Sequence, residues 1–256
     1  MDKLKFNAVV FDLDGVITKT AVVHAAAWKK MFDEYMKIRA KREGGIFKEF
    51  TYKEDYLTYV DGKPRYKGVQ SFLESRNIRL EYGDPSDSAD RETVCGLGNR
   101  KNDAFRQVLE EQGVEVYPST VDLITALKSY QIHVGVASSS KNCQYILRSA
   151  KLEHLFETRV DGVVSAELGL QGKPQGDIFV RAAENMGCKP AQSIVVEDAV
   201  SGVQAGKNGQ FALVIGVARE HNQKELANNG ADIVVEDFAG VTVETVNEWF
   251  NKKNNP

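Results

Sequence analysis

Two pairs of carboxylates come directly after apolar segments of the sequence. Asp12 and Asp14 follow Val9–Phe11, and Glu197 and Asp198 follow a second apolar run. Because parallel α/β sheets bind ligands at the carboxyl ends of their strands, both pairs are expected at one edge of a sheet. Four acids at one place repel one another unless a cation lies among them. Mg²⁺ fits best, since the ligands are hard oxygens and no His or Cys accompanies them.

A hydroxyl and an ammonium extend this set toward phosphate chemistry. Ser138, followed by Ser139, ends a further apolar segment, and Lys173 lies on a loop before a helix predicted to begin at Asp177. A hydroxyl, nearby backbone amides and a cation together suit a dianionic phosphoryl group. One Asp-x-Asp pair would be weak evidence, because aspartates also cap helices and fill turns. The combination indicates phosphoryl transfer, in which catalysis depends on positioning and on neutralisation of charge.

Strand-like and helix-like patterns alternate through most of the chain. Such alternation predicts a parallel sheet covered by helices on both faces, a doubly wound, Rossmann-like α/β fold. The predicted strands are Ala8–Phe11, Ile132–Ala137, Ser193–Val196, Ala212–Val217 and Ile233–Val235. The helices predicted between them are Ser119–Tyr130, Asn142–Leu152, Asp177–Met186, Val200–Asn208 and Gln223–Asn229.

Roughly a hundred residues separate the first two predicted strands, far more than the roughly 30 that a βαβ unit requires. Most of this segment has a helical pattern, which predicts an inserted helical cap domain. We expect a core domain of residues 1–20 and 118–256 and a cap domain of residues 21–117. A cap suits a site that must close over a substrate and exclude water. Its predicted helices are Val23–Tyr35, Tyr52–Tyr59, Val69–Arg76 and Asn102–Gly113, and Gly96–Gly98 is predicted to be a turn.

Composition and charge restrict the class of protein. Hydrophobic residues make up 42% of the 256 residues, and 33 basic against 36 acidic side chains give a net charge of −3. This balance provides no basic field for nucleic acid or for an anionic membrane, and no apolar run approaches the roughly 20 residues of a membrane span. The three cysteines are far apart, and no signal peptide is recognisable. We therefore expect a cytoplasmic monomer whose partner is a small molecule.

The acids, the serine and the lysine occur in an order that resembles the four motifs of the haloacid dehalogenase superfamily. The residues that carry this resemblance, across nearly the whole chain, are Asp12-Leu13-Asp14-Gly15-Val16, Ser138, Lys173 and Glu197-Asp198. The resemblance implies that Asp12 is the nucleophile, which forms an aspartyl-phosphate, and that Asp14 is the general acid/base. It also implies that Ser138, Ser139 and Lys173 bind the phosphate.

The same resemblance implies the metal ligands. Asp12, the backbone carbonyl of Asp14 and Asp198 would bind Mg²⁺, with Glu197 supporting the site from beside them. A carboxylate that attacks an anionic phosphate is repelled by it, and the cation together with Lys173 removes that penalty.

Short matches in the inserted segment narrow the resemblance to the β-phosphoglucomutase-like group. Thr20, His24 and Trp28 resemble the hinge and first cap helix of that group, where the matching Thr and His help to place the general acid/base. Lys101 and Asn102 resemble a cap pair that touches the substrate. Without the resemblance, His24 would be interpreted as a surface residue and Lys101 as a solvated charge.

One departure separates this chain from the mutases of that group. They have an arginine for a second phosphate shortly after a Lys-Gly-Val motif, whereas here Gln70 and Ser71 follow Lys67–Val69. Arg65 and Arg76 are candidate replacements. Because a phosphatase needs only one phosphate site and a water, we expect a Mg²⁺-dependent phosphohydrolase of small sugar phosphates. The alternatives are β-phosphoglucomutase, which interconverts β-glucose 1-phosphate and glucose 6-phosphate, and a non-catalytic sugar-phosphate-binding module.

Overall fold

The computed structural model describes residues 4–219 and 221–254. The chain forms two compact units. Unit 1 contains the described residues up to Lys19 and from Val114 onward, and unit 2 contains Thr20–Gly113. These limits lie close to those predicted for the core and cap, whose assignment as functional domains stays a prediction. Residues 1–3, 220 and 255–256 of the predicted core domain lie outside the described residues.

Unit 1 is built on a parallel sheet. Its six strands are β1 (Ala8–Phe11), β2 (His133–Ala137), β3 (Thr158–Val160), β4 (Ser193–Glu197), β5 (Leu213–Val217) and β6 (Ile233–Val235). The strand order is β3-β2-β1-β4-β5-β6, and every neighbouring pair is parallel. The order runs outward in both directions from the pair β1 and β4, which is therefore the switch point of a doubly wound sheet. The predicted fold class is confirmed.

Helices flank this sheet and form most of unit 2. In chain order they are α1 (Thr20–Glu43), α2 (Arg65–Ser75), α3 (Val94–Gln112), α4 (Pro118–Ser129), α5 (Cys143–Ser149), α6 (Gly162–Leu168), α7 (Asp177–Asn185), α8 (Val200–Asn208), α9 (Gln223–Asn228) and α10 (Val243–Asn254). All residues of β1, β4 and β5 are buried, which is typical of strands covered on both faces. None of the helices in the described part of the chain is long and apolar enough to span a membrane.

Unit 2 has its own aromatic core. Helices α1, α2 and α3 pack with a π-helical segment, Tyr52–Val60. The rings of Phe32 and Phe72 lie 4.0 Å apart between centroids, and Trp28 stacks on Phe32 at 5.3 Å. Aromatic pairs of this kind stabilise a core beyond the area they bury. The unit therefore has a packed interior independent of the sheet.

The two segments that join the units along the chain pair with each other inside unit 1. Thr18 forms an antiparallel bridge with Val116. The amide of Lys19 donates to the carbonyl of Glu115 at 2.9 Å, and the amide of Tyr117 donates to the carbonyl of Ile17 at 2.9 Å. The segment that follows Asp14 is thus tied to the segment that precedes α4.

Several predicted elements differ from those observed. Strand β3 and helix α6 were not predicted, and the turn predicted at Gly96–Gly98 is wrong, because these residues lie in α3. That helix begins eight residues before its predicted start, capped by Thr93, whose side chain accepts a hydrogen bond from the amide of Gly96. A Cβ on Gly96 would lie 2.2 Å from the carbonyl oxygen of Arg91, so this glycine permits close packing rather than a turn.

Candidate active site

Carboxylate and hydroxyl groups follow three neighbouring strands at one edge of the sheet. Asp12 follows β1, Ser138 follows β2, and Asp198 follows Glu197, the last residue of β4. The amide of Asp12 donates to the carbonyl of Val196 at 2.9 Å, so the strands remain in register up to the first carboxylate. This edge lies at the switch point, where open α/β sheets bind their ligands.

Lys173 joins the two predicted carboxylate pairs. Its ammonium donates hydrogen bonds to Oδ1 of Asp12 and to Oε1 of Glu197, and its side chain is only 2% exposed. Burial alone would lower the pKa of Lys173, but the Asp12 and Glu197 carboxylates outweigh burial and raise it. Lys173 is therefore a fixed positive charge beside Asp12.

Asp12 lies where negative charge is concentrated. Burial raises the pKa of Asp12 well above its usual value, Lys173 opposes this, and the carboxylates of Glu197 and Asp14 add to it. The side chain of Asp12 is only 7% exposed, so these charges interact at a lower dielectric than in water. The site therefore carries more negative than positive charge next to the predicted nucleophile.

Glu197 is held through both carboxylate oxygens. Oε1 accepts from Lys173, and Oε2 accepts from the amide of Ala199 at 2.7 Å. A Cβ on Gly202 would lie 1.8 Å from Oε1 of Glu197, so α8 approaches this carboxylate closely because residue 202 is glycine. These contacts fix the position of Oε1, which accepts the hydrogen bond from Lys173.

Gly15 allows the turn after Asp14 to lie against Asp198. Its φ is +88°, a conformation that favours glycine, and a Cβ there would lie 1.8 Å from Oδ2 of Asp198. Its amide donates to the carbonyl of Thr18 at 2.8 Å, and the Thr18 hydroxyl donates to the carbonyl of Leu13 at 3.2 Å. The turn that carries Asp14 is thus closed by hydrogen bonds within the segment Leu13–Thr18.

Ser138 lies beside Asp14. Its hydroxyl is 3.4 Å from Oδ2 of Asp14, accepts a hydrogen bond from the amide of Ser140 at 3.0 Å, and is buried. Ser139 is half-buried in the same loop. The structure therefore brings Asp12, Asp14, Ser138, Lys173, Glu197 and Asp198 together at one edge, with Ser139 adjacent.

The donor atoms at this edge suit a hard cation. Carboxylate oxygens dominate, and the surplus negative charge around Asp12 favours a divalent ion. Within residues 4–219 and 221–254, no set of three or more His, Cys, Asp or Glu side chains is arranged to hold a metal ion. The implied site, with two carboxylates and one backbone carbonyl, does not require such a set. The metal ligands stay a prediction.

The family of the chain follows from similarity over most of its length. A model of the haloacid dehalogenase-like hydrolase family matches residues 6–210. The chain belongs to this family. It is 45% identical over 238 residues to the β-phosphoglucomutase of Mycobacterium tuberculosis (strain CDC 1551 / Oshkosh). The match covers 92% of this chain and 91% of that protein.

Two further similarities agree with this assignment. The fructose-1-phosphate phosphatase YqaB of Escherichia coli (strain K12) is 28% identical over 207 residues, 79% of this chain and 92% of that protein. The crystal structure of β-phosphoglucomutase from Clostridium difficile has a TM-score of 0.76 and 25% identity, and the match covers 98% of this chain and 100% of that one. The resemblance stated from the sequence is confirmed.

The residues predicted to contact substrate from the cap lie in unit 2 of this haloacid dehalogenase-like protein. Thr20 is buried at the start of α1. The ammonium of Lys101 bonds Nδ1 of His24, lies 4.7 Å from the ring centroid of Phe105 and is buried, while His24 stacks on Phe105 at 3.9 Å. Interpretation of Lys101 as a solvated charge is therefore wrong. Asn102 accepts a hydrogen bond from Arg65 at 2.7 Å through Oδ1.

Two polar residues of unit 1, the buried Asp161 and the half-buried Arg219, were missed from the sequence. Asp161 follows β3, is fully buried, and accepts from the amides of Val163 and Val164 at 2.9 and 3.1 Å. Arg219 follows β5 and donates to the carbonyl of Gly15 at 3.2 Å. Aspartate is a favoured N-cap residue, and Asp161 caps the N-terminus of α6, whereas an isolated arginine after a strand gives no comparable signal.

Proposed function

We propose that the protein is a Mg²⁺-dependent enzyme that transfers the phosphoryl group of a small sugar phosphate through Asp12. The observation that supports this most strongly is the buried contact of Lys173 with Asp12 and Glu197. A carboxylate is repelled by a phosphate dianion, and a fixed ammonium beside the attacking carboxylate offsets that repulsion. An ion pair with a purely structural role would not require Asp14 and Ser138 beside it.

In the proposed first step, one oxygen of Asp12 attacks phosphorus while the bond from phosphorus to the sugar oxygen breaks. Asp14 donates a proton to that oxygen, so the sugar leaves as a neutral alcohol. In the second step water attacks phosphorus, Asp14 accepts a proton from the water, and Asp12 is released as a carboxylate together with inorganic phosphate. Ser138 and Lys173 hold phosphate oxygens in both steps.

The proposed ligands of Mg²⁺ are Asp12, the backbone carbonyl of Asp14 and Asp198. When bound, the ion would supply charge neutralisation at the phosphate. For Glu197 we propose a different role, because both of its oxygens accept hydrogen bonds from protein groups. It positions Lys173 beside Asp12.

Hydrolysis is the first candidate reaction, because the segment after Val69 provides Gln70 and Ser71 in place of a cation. Mutase activity is the second candidate, and the 45% identity to a β-phosphoglucomutase favours it. Arg65 favours it as well: its hydrogen bonds go to the neutral amide oxygens of Asn99 and Asn102, at 3.3 and 2.7 Å. Such a cation is suited to a second anionic group.

Arg76 is a weaker candidate for that role. Its Nη2 donates to both carboxylate oxygens of Asp55, at 2.8 and 2.9 Å; the Asp55 side chain is buried and that of Arg76 is 10% exposed. The charge of Arg76 is therefore already neutralised within unit 2. Lys63, whose ammonium donates to the hydroxyl of Ser71 at 2.9 Å, brings a further cation to the segment that lacks the arginine.

The products distinguish the two reactions. The protein is incubated with Mg²⁺, β-glucose 1-phosphate and a trace of the 1,6-bisphosphate, and both glucose 6-phosphate and inorganic phosphate are followed. Inorganic phosphate without glucose 6-phosphate identifies a phosphatase, and a panel of sugar phosphates then defines its substrate. Rapid formation of glucose 6-phosphate with little inorganic phosphate identifies the mutase.

A non-catalytic sugar-phosphate-binding module is the third candidate. It has no use for a nucleophile and a general acid together, which speaks against it. Tight binding of sugar phosphates with no turnover across the panel would favour the module over both enzymes. A cytoplasmic location and a monomeric state stay predictions from the sequence.

A further inference from the structure

Arg219 binds the turn that carries Asp14. The residue lies just beyond β5, and its side chain is 10% exposed. Its Nε donates to the carbonyl of Gly15 at 3.2 Å. Its Nη1 donates to the carbonyl of Glu236 at 3.0 Å and to Oδ2 of Asp237 at 2.6 Å. The guanidinium therefore connects the turn after β1 with the segment after β6.

The same guanidinium contacts the segment by which the chain returns to unit 1. It lies 3.6 Å from the ring centroid of Tyr117, and its Nη2 donates to the hydroxyl of Thr120 at 3.4 Å. The amide of Tyr117 in turn donates to the carbonyl of Ile17. Arg219 thus holds the catalytic turn on one side and the residues paired with that turn on the other.

Gly15 is the residue through which this contact acts. It follows Asp14 directly, its amide closes the turn on Thr18, and its Cα lies against Asp198. Arg219 fixes the remaining polar group of Gly15, the carbonyl oxygen. A catalytic group displaced by about 1 Å can lose about 100-fold in rate, so a small shift of this turn would matter.

We infer that Arg219 is a positioning residue that holds the Asp14 carboxylate in place for proton transfer to the leaving group. This inference rests on the role proposed above for Asp14. Arg219 does not act on substrate itself. Arginine suits the task because its planar group donates in several fixed directions and stacks on an aromatic ring, which lysine cannot do to the same extent.

The test compares substrates that differ in their need for a proton. A sugar phosphate leaves as a basic alkoxide, whereas an activated aryl phosphate leaves without general acid catalysis. Asp14→Ala sets the scale of the difference. We expect Arg219→Ala and Arg219→Lys to lower kcat for the sugar phosphate by about 10- to 100-fold, with a clearly smaller loss for the aryl phosphate and little change in KM.

Hydrogen–deuterium exchange gives a second readout that does not depend on activity. The amides of Gly15 and Tyr117 should exchange faster in both Arg219 variants than in the wild type. Arg148→Ala is the control, because Arg148 is 63% exposed and pairs with Glu153 on the surface. Arg219→Lys keeps a positive charge for Asp237, so an effect that persists in this variant reflects positioning rather than loss of the ion pair.

Two results would overturn the inference: equal losses of kcat on both substrates, or unchanged exchange at Gly15. Full rescue of both readouts by Arg219→Lys would also overturn it, since charge alone would then suffice. Turnover that survives in Asp12→Asn would contradict the proposed function instead, while the exchange at Gly15 would still decide whether Arg219 holds the turn.

Discussion

Removal of the Lys173 ammonium should destabilise unit 1, because the buried carboxylates of Asp12 and Glu197 then lose their cation. The side chains of Lys173, Asp12 and Glu197 are 2%, 7% and 1% exposed, so Lys173→Met leaves two neighbouring carboxylates buried without their cation. Breaking a buried ion pair from one side costs about 3–5 kcal/mol. We expect a loss of that size in the free energy of unfolding at pH 7.

The double variant Lys173→Met/Glu197→Gln separates stability from catalysis. It removes both charges of one pair, and replacement of a complete buried pair by neutral groups is often tolerated. We expect it to be at least about 1 kcal/mol more stable than Lys173→Met. Both variants should nevertheless lose about 100- to 1,000-fold in kcat, because the fixed charge at the phosphate is absent in each.

Urea denaturation measures these stabilities. The chain has two tryptophans, Trp28 in unit 2 and Trp249 in α10 of unit 1, so a Trp28→Phe background makes the fluorescence report on unit 1 alone. Steady-state assays with an aryl phosphate give the activities. A Lys173→Met variant as stable as its parent, or a double variant no more stable than the single one, would refute the electrostatic argument.

Four further predictions concern other parts of the chain. Gly15→Ala should lower the free energy of unfolding by about 1–3 kcal/mol and remove most of the activity. The control Gly187→Ala should retain activity, because Gly187 is also at positive φ but a Cβ there has nothing within 4 Å. Equal kcat values in the two variants would contradict the close approach of Gly15 to Asp198. Arg76→Met should destabilise unit 2 by about 3–5 kcal/mol, which urea denaturation measures. Arg65→Met should mainly raise KM for the sugar phosphate, which steady-state kinetics measure. Partial burial raises the pKa of Asp237, but hydrogen bonds from a serine and an arginine outweigh burial and lower it. The stabilisation by Asp237 therefore exists at neutral pH and is lost as the pH falls through the folded pKa. The difference in free energy of unfolding between wild type and Asp237→Asn should shrink in acid, and a difference independent of pH would contradict this prediction.

The sheet was largely predictable because its strands are apolar and bounded by turn residues. The limits of β1 and β6 agree with the prediction, since both runs are short and uninterrupted. Strand β3 was missed because it has three residues with Arg159 in the middle, and its place beside β2 depends on tertiary pairing. Helix α1 extends to Glu43, beyond the apolar pattern that ends near Tyr35.

The predicted site residues of unit 1 were found because they follow strands in a motif order. The pattern could not show that Lys173 contacts Glu197 as well as Asp12, since that contact depends on the loop before α7. Arg219 escaped for a related reason: its partners come from three separate segments, and no local spacing connects it to Gly15. The tertiary contacts of single charged residues therefore could not be predicted from the sequence.

The central claim is that Asp12 carries the phosphoryl group during turnover, and trapping that intermediate tests it most directly. The enzyme is mixed with Mg²⁺ and an aryl phosphate, quenched in acid within milliseconds, digested with trypsin and analysed by mass spectrometry. Asp12 and Asp14 lie on one tryptic peptide, residues 6–19, so fragment ions must assign the position. We expect one phosphoryl group on Asp12 and none in Asp12→Asn; a phosphoryl group on another residue, or turnover that continues in Asp12→Asn, would contradict the account.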